Sequence, residues 1–275
     1  MIYNTIMVQL DIDDPLTPRL SFAWELARRF EADLIAFAAA EPRIVVPAGD
    51  SGIVAADARR DRIKDIEERL GALEGEFRRA NYDENRVSWR SFVGNPTHFL
   101  ALHCRAADLV VIGSSHRGSK VDHLRAIDPG ALVLSAGRPI LIASESLAPG
   151  RAQSVLVAWK DCKEARRAVV DALPFLIGAG DVLVAAFEEG DAAASRESAA
   201  DVVRFLIKHG AKARLEVSGV GHSDVGEAIL EMAREMDTDL IVTGGYGHSR
   251  LREWVFGGVT RSLLRDGSLN RLISN

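Results

Sequence analysis

A chain of 275 residues is long for one core and comfortable for two domains of ordinary size. Its 47% hydrophobic and 27% charged residues describe a folded globular protein, and a formal net charge of −5 with no basic stripe argues against a general nucleic-acid binder or a protein held on anionic membranes. Cys104 and Cys162 are too few for a disulfide framework, no apolar run reaches the length of a membrane span, and Met1–Asp11 has no basic head, so the expectation is a cytoplasmic protein in a reducing compartment.

Along the chain, short apolar runs alternate with helical patterns, and they do so twice. Ile6–Leu10 has its counterpart in Val155–Trp159, Asp33–Phe37 in Asp181–Ala185, and Asp108–Gly113 in Asp239–Gly244, which is a tandem duplication. The first half carries extra residues near Pro42–Ala56, apolar but punctuated by Pro and Gly, and reads as a loop rather than a regular helix. It either packs on its neighbour or covers a cleft, or is a surface excursion without function. In the second half the pattern predicts strands at 155–159, 181–187, 213–217, 239–243 and 270–274, with helices at 163–177, 196–209, 223–236 and 259–265. Ala199, Val202, Val203, Leu206 and Ile207 recur at helical spacing and give the second of these helices one buried face. Continuously apolar strands separated by such helices imply a parallel sheet covered on both faces, with ligands beyond the carboxyl ends of the strands at the switch in strand order.

The richest stretch is Asp239–Thr260. The run Leu240-Ile241-Val242 leads into Gly244 and Gly247, and after nine residues Gly257 and Gly258 precede a helical segment at 259–265. A helix whose first N–H groups follow a glycine pair attracts anions through unsatisfied donors and its dipole. The stretch therefore reads as a phosphate cradle; the alternative is that its glycines only turn the chain. Two other phosphate motifs fail, because Gly245-x-Gly247 lacks the third glycine of a dinucleotide fingerprint and no Gly-Lys-Ser/Thr run exists.

This spacing resembles the Gly-x2-Gly-x9-Gly-Ser/Thr signature of the universal stress protein family, with Gly258 in the Ser/Thr place. The resemblance implies two tandem doubly wound five-stranded α/β parallel sheets of order 3-2-1-4-5, one over residues 1–147 and one over 152–275, joined by the linker 147–152. It implies ATP or AMP, with or without magnesium, against Gly244, Gly247, Gly257 and Gly258 of the second domain. It also implies halves that pack on one another as two single-domain partners would, and two chains that dimerise. Each half departs from the pattern at a different point. In the first half the signature positions become Gly113, His116, Ala126 and Ile127, which crowd a phosphate, while Asp11 resembles the acid that family members set against the nucleoside. In the second half Lys160 stands in that place, so that Lys160 reaches phosphate or Asp161 takes the carboxylate's role. The resulting expectation is a stress-response protein that binds an adenine nucleotide in its second domain without strong catalysis. The alternatives are a protein of this fold that has lost nucleotide binding and acts through protein contacts, and a slow ATP hydrolase, for which no general base is evident.

Other groups weigh less. None of the seven histidines pairs with another in a metal-binding helical spacing, although His98, His103 and Cys104 share one helix that His116 and His123 could approach. Ser114-Ser115-His116 lacks a nucleophile elbow. Arg250, Arg252 and Arg261 flank the cradle, and Trp254, Val255 and Phe256 read as packing anchors.

Overall fold

The computed structural model describes residues 2–43, 52–80, 82–114, 124–147, 151–188, 192–219, 224–245 and 258–275. The first half runs β1 (Thr5–Leu10), α1 (Leu16–Phe30), β2 (Asp33–Ala40), α2 (Gly52–Arg79), β3 (Val87–Val93), α3 (Pro96–His103, continued by a 3-10 turn at Cys104–Ala106), β4 (Leu109–Gly113), α4 (Pro129–Ser135) and β5 (Ile140–Ala143). The second runs β6 (Ser154–Trp159), α5 (Lys163–Asp171), α6 (Leu173–Ile177), β7 (Asp181–Glu188), α7 (Ala192–Lys208), β8 (Ala213–Gly219), α8 (Val225–Glu235), β9 (Leu240–Gly244), α9 (Gly258–Arg265) and β10 (Asn270–Ser274).

The strands lie in the order β3-β2-β1-β4-β5-β10-β9-β6-β7-β8. Each half thus follows 3-2-1-4-5, all parallel within itself, but the two sheets expected from the sequence are one. They join where β5 and β10 pair antiparallel, with Arg271 opposite Ile142 and Ile273 opposite Ile140. The reason is visible in the strands themselves. Ile140–Ala143 and Asn270–Ser274 are buried along their whole length, and a strand with both faces buried cannot leave its open edge of N–H and C=O groups without a partner.

Helices cover both faces. On one side α1, α2, α5, α6 and α7 share a single core that runs across both halves; on the other, α3 with α4 and α8 with α9 pack over separate cores. The shared core is clasped at the boundary by aromatic rings, Tyr3 against Phe30 at 5.1 Å and Phe30 against Phe175 at 5.0 Å, both edge-on in the former and latter pairs. The Tyr3 hydroxyl donates to the Asp171 carbonyl at 2.5 Å and the Arg29 guanidinium to the Arg151 carbonyl at 2.6 Å, so the segment before β1 is tied to α5 of the other half and α1 to its start.

The extra residues of the first half contradict the loop expected at 42–56 in part. Gly52–Ala56 open α2, a helix of 28 residues against 17 in α7, while 44–51 lie outside the described residues. The single helix expected at 163–177 breaks into α5 and α6 because Pro174 brings no N–H and enters as the second residue of a new turn. Among the described residues, no helix is long and apolar enough to cross a membrane.

Candidate functional site

The strand order makes the gap between β6 and β9 the switch point of the second half, and Ala158 lies opposite Thr243 there. The strands therefore end together, β6 in Trp159 followed by exposed Lys160 and Asp161, β9 in Gly244. Asp161 is held by Arg166, with contacts of 2.7 and 3.1 Å between exposed groups. The Lys160 carbonyl accepts the Cys162 N–H at 2.7 Å and turns the chain into α5. Gly244 has a packing reason. A Cβ there would stand 2.5 Å from the Ala165 nitrogen and 2.6 Å from the Glu164 carbonyl carbon, so only glycine lets the first turn of α5 sit on the end of β9.

Gly258 is the first residue of α9 and is exposed. Its surroundings differ from those of Gly244, because among the described residues a Cβ there would meet only the Asp224 carboxylate, 3.1 Å from Oδ2. Asp224 caps α8, its Oδ1 accepting the Gly226 N–H at 2.7 Å. In turn Gly226 lets α9 approach, since a Cβ on it would lie 2.7 Å from that of Ser262. Two helix N-termini therefore converge on one carboxylate. Gly258 is exposed, and the carboxylate that stands beside it among the described residues is that of Asp224. Sequence reasoning missed Asp224, although Asp224-Val-Gly-Glu227 before an apolar run is a helix-start pattern. Gly247 and Gly257 lie outside the described residues, as do His116, His123, Arg250, Arg252, Trp254, Val255 and Phe256; Arg261 is exposed on α9.

The same end of the first half is built differently. Asp11 does not face an open cleft: Arg19 bonds it at 2.6 Å, donates to the Gln9 carbonyl at 3.1 Å and to the Gln9 side-chain oxygen at 3.0 Å, and lies directly over Gly113. The guanidinium thus fills the space beyond β1 and β4, where the duplicated pattern puts Ala168 in the second half. Ile127 is buried, and α4 opens on Asp128, whose carboxylate accepts the Ala131 N–H at 3.0 Å, followed by Pro129, which has no N–H to offer.

The remaining candidates have structural employment. His103 stacks on Phe92 at 4.2 Å, and the buried Cys104 thiol donates to the Ala101 and Ala136 carbonyls, burial holding its pKa above the usual thiol value. Cys162 is also a free thiol whose pKa burial raises. The Ser114 hydroxyl donates to the Ala143 carbonyl at 2.5 Å and accepts from Arg271 at 2.7 Å. Arg271, on β10, is fully buried; its other arm donates to the Leu263 carbonyl at 2.8 Å, and burial lowers its pKa to about 10 despite Asp266 and Glu145 nearby.

Comparison with known proteins bears on both halves. Residues 152–270 match the model of the universal stress protein family. No curated protein matches the chain. A universal stress protein from Archaeoglobus fulgidus has the same fold along 99% of this chain and 96% of its own, with 16% identity and a TM-score of 0.71. A functionally unknown protein from Pseudomonas aeruginosa matches 99% of this chain and 92% of its own, with 16% identity and a TM-score of 0.61. Residues 152–270 thus match the universal stress protein family by sequence, and the whole chain shares the fold of a solved universal stress protein.

Proposed function

We propose that this protein is a stress-response protein whose second half binds an adenine nucleotide, ATP or AMP, at the carboxyl ends of β6 and β9. The observation that carries this is the contrast between the two ends of one duplicated plan. In the second half α9 begins at exposed Gly258, while in the first half Arg19 lies over Gly113 and the start of α4 is already capped by Asp128 and Pro129. In this reading the N–H groups at Gly244, Gly247, Gly257 and Gly258 face the phosphates, Lys160 neutralises them, and Asp161 reaches the ribose after leaving Arg166. Magnesium, when it accompanies the nucleotide, offsets the charge of Asp224 against the phosphates. Residues 1–147 and 152–275 act as two domains of a cytoplasmic protein that forms a homodimer.

Mass spectrometry of small molecules released from the purified protein, followed by calorimetric titration of ATP, tests this. Bound AMP or ATP, or a saturable titration that Gly258→Val abolishes, is expected. Lys160→Asp weakens binding about tenfold if Lys160 contacts phosphate. A specific observation favours a second reading, in which nucleotide binding is lost and the protein acts through protein contacts: the Asp224 carboxylate already stands beside Gly258. An empty protein that gives no heat with ATP, as wild type or as Asp224→Asn, selects that reading.

A further inference from the structure

We propose that the outward face of α3 and α4, centred on Leu102 and Leu134, docks an acidic segment of another protein through that segment's own apolar side chains. The two helices run side by side, tied at both ends. The Asp128 N–H donates to the Thr97 hydroxyl at 2.9 Å, the Cys104 thiol to the Ala136 carbonyl at 3.2 Å, and the Arg138 guanidinium to the Arg105 carbonyl at 3.2 Å. Leu102 and Leu134 each come two residues before the Cys104–Ala136 tie and so stand at the same height. They are 47% and 55% exposed, while Leu100, Leu132 and Val133 fill the core beneath. The platform is stiffened by Phe92, stacked on Phe99 at 5.1 Å and on His103 at 4.2 Å.

The duplication supplies an internal control. At the corresponding positions of α8 and α9 the second half carries Glu231 and Arg265, both exposed, so the plan of the fold does not require leucines there. Charge identifies the occupant. From Pro96 to Ala107 and from Pro129 to Ala143 there is no Asp or Glu, in a chain where acidic residues outnumber basic ones. Arg105 and Arg138 donate only to backbone carbonyls among the described residues, so their charges are not neutralised. Burial, and then Arg105 and Arg90, holds His103 below its usual pKa, as expected where the local potential is positive. A second copy turned onto the same face offers the arginines only Asp128, which is already engaged in capping α4, and two arginines on a chain of net charge −5 make a poor surface for nucleic acid or lipid. An acidic segment with apolar anchors satisfies both the leucines and the arginines.

Fluorescence anisotropy with a labelled amphipathic Glu/Leu peptide and its Lys/Leu counterpart tests the assignment. The Glu/Leu peptide is expected to bind saturably and more weakly as salt rises. Binding should fall at least about tenfold in Leu102→Asp/Leu134→Asp and in Arg105→Glu/Arg138→Glu, each with an unchanged melting temperature, and stay the same in Ile207→Asp on the opposite face. Failure of the Glu/Leu peptide to bind, equal binding of the Lys/Leu peptide, or undiminished binding by either double variant overturns the proposal. So does a dimer that the leucine variants convert to monomer, which gives the face to a second copy, or binding to phosphatidylserine vesicles that the same variants lose.

Discussion

Gly244 and Gly258 belong to the same sequence signature but answer to different forces. At Gly244 a methyl group meets backbone atoms of α5 that cannot step aside, so Gly244→Ala should cost about 1–3 kcal/mol in chemical denaturation, whether or not nucleotide is present. At Gly258, among the described residues, the methyl meets one carboxylate oxygen, and Gly258→Ala should leave stability within about 0.5 kcal/mol. Asp224→Asn is the sharper probe of the anion site, because asparagine still caps α8 while the negative charge beside Gly258 disappears. ATP should bind that variant about three- to tenfold tighter in calorimetry, most clearly without magnesium; unchanged affinity would mean that the phosphates do not approach α9. The motif spacing made Gly258 legible in the sequence. Asp224 and Arg19 were not, because each acts on a partner far along the chain, and spacing cannot say that Arg19 turns back over Gly113.

Among elements, the strands were the most legible, since buried parallel strands are uniformly apolar and the duplication gave each a second instance to check against. The start of α2 was not, because Gly52 stands where the Pro and Gly of 42–52 signal irregular chain, and helix starts follow capping and packing more than composition. Where α1 meets α5 and α6, the joint depends on a neutral Tyr3. Its pKa is held well above the usual 10, by burial first and then by Asp171 and Asp108. Because the folded state binds this proton more tightly than the unfolded one, the stability it carries is complete below pH 10 and is lost as pH climbs towards the folded value. Tyr3→Phe should therefore remove about 1 kcal/mol at neutral pH by deleting the bond to Asp171 and flatten the alkaline fall in stability, as read from urea melts across pH 8–11. An equal alkaline fall in the variant would assign it to other groups.

For the whole molecule, the main revision to the sequence reading is that two sheets of order 3-2-1-4-5 are one sheet of ten strands. Periodicity within each half could not show this, because the join is a contact between the two fifth strands, whose burial on both faces becomes intelligible only once they are paired. Arg271 marks the join. It stands on β10 and bonds Ser114 at the end of β4, so one buried cation links the candidate nucleotide half to the half whose cleft is closed. Truncation in Arg271→Ala should cost about 3–5 kcal/mol and Arg271→Met clearly less, since the longer apolar side chain fills the space without a buried charge. The fold thus keeps two copies of one scaffold and, in this account, a ligand in only one. A crystal structure of the full chain grown with saturating ATP tests that asymmetry most directly. Nucleotide density is predicted beyond β6 and β9, with phosphates at the start of α9 beside Gly258 and none between Asp11 and Gly113. Density in the first half, or none in either, would contradict the account.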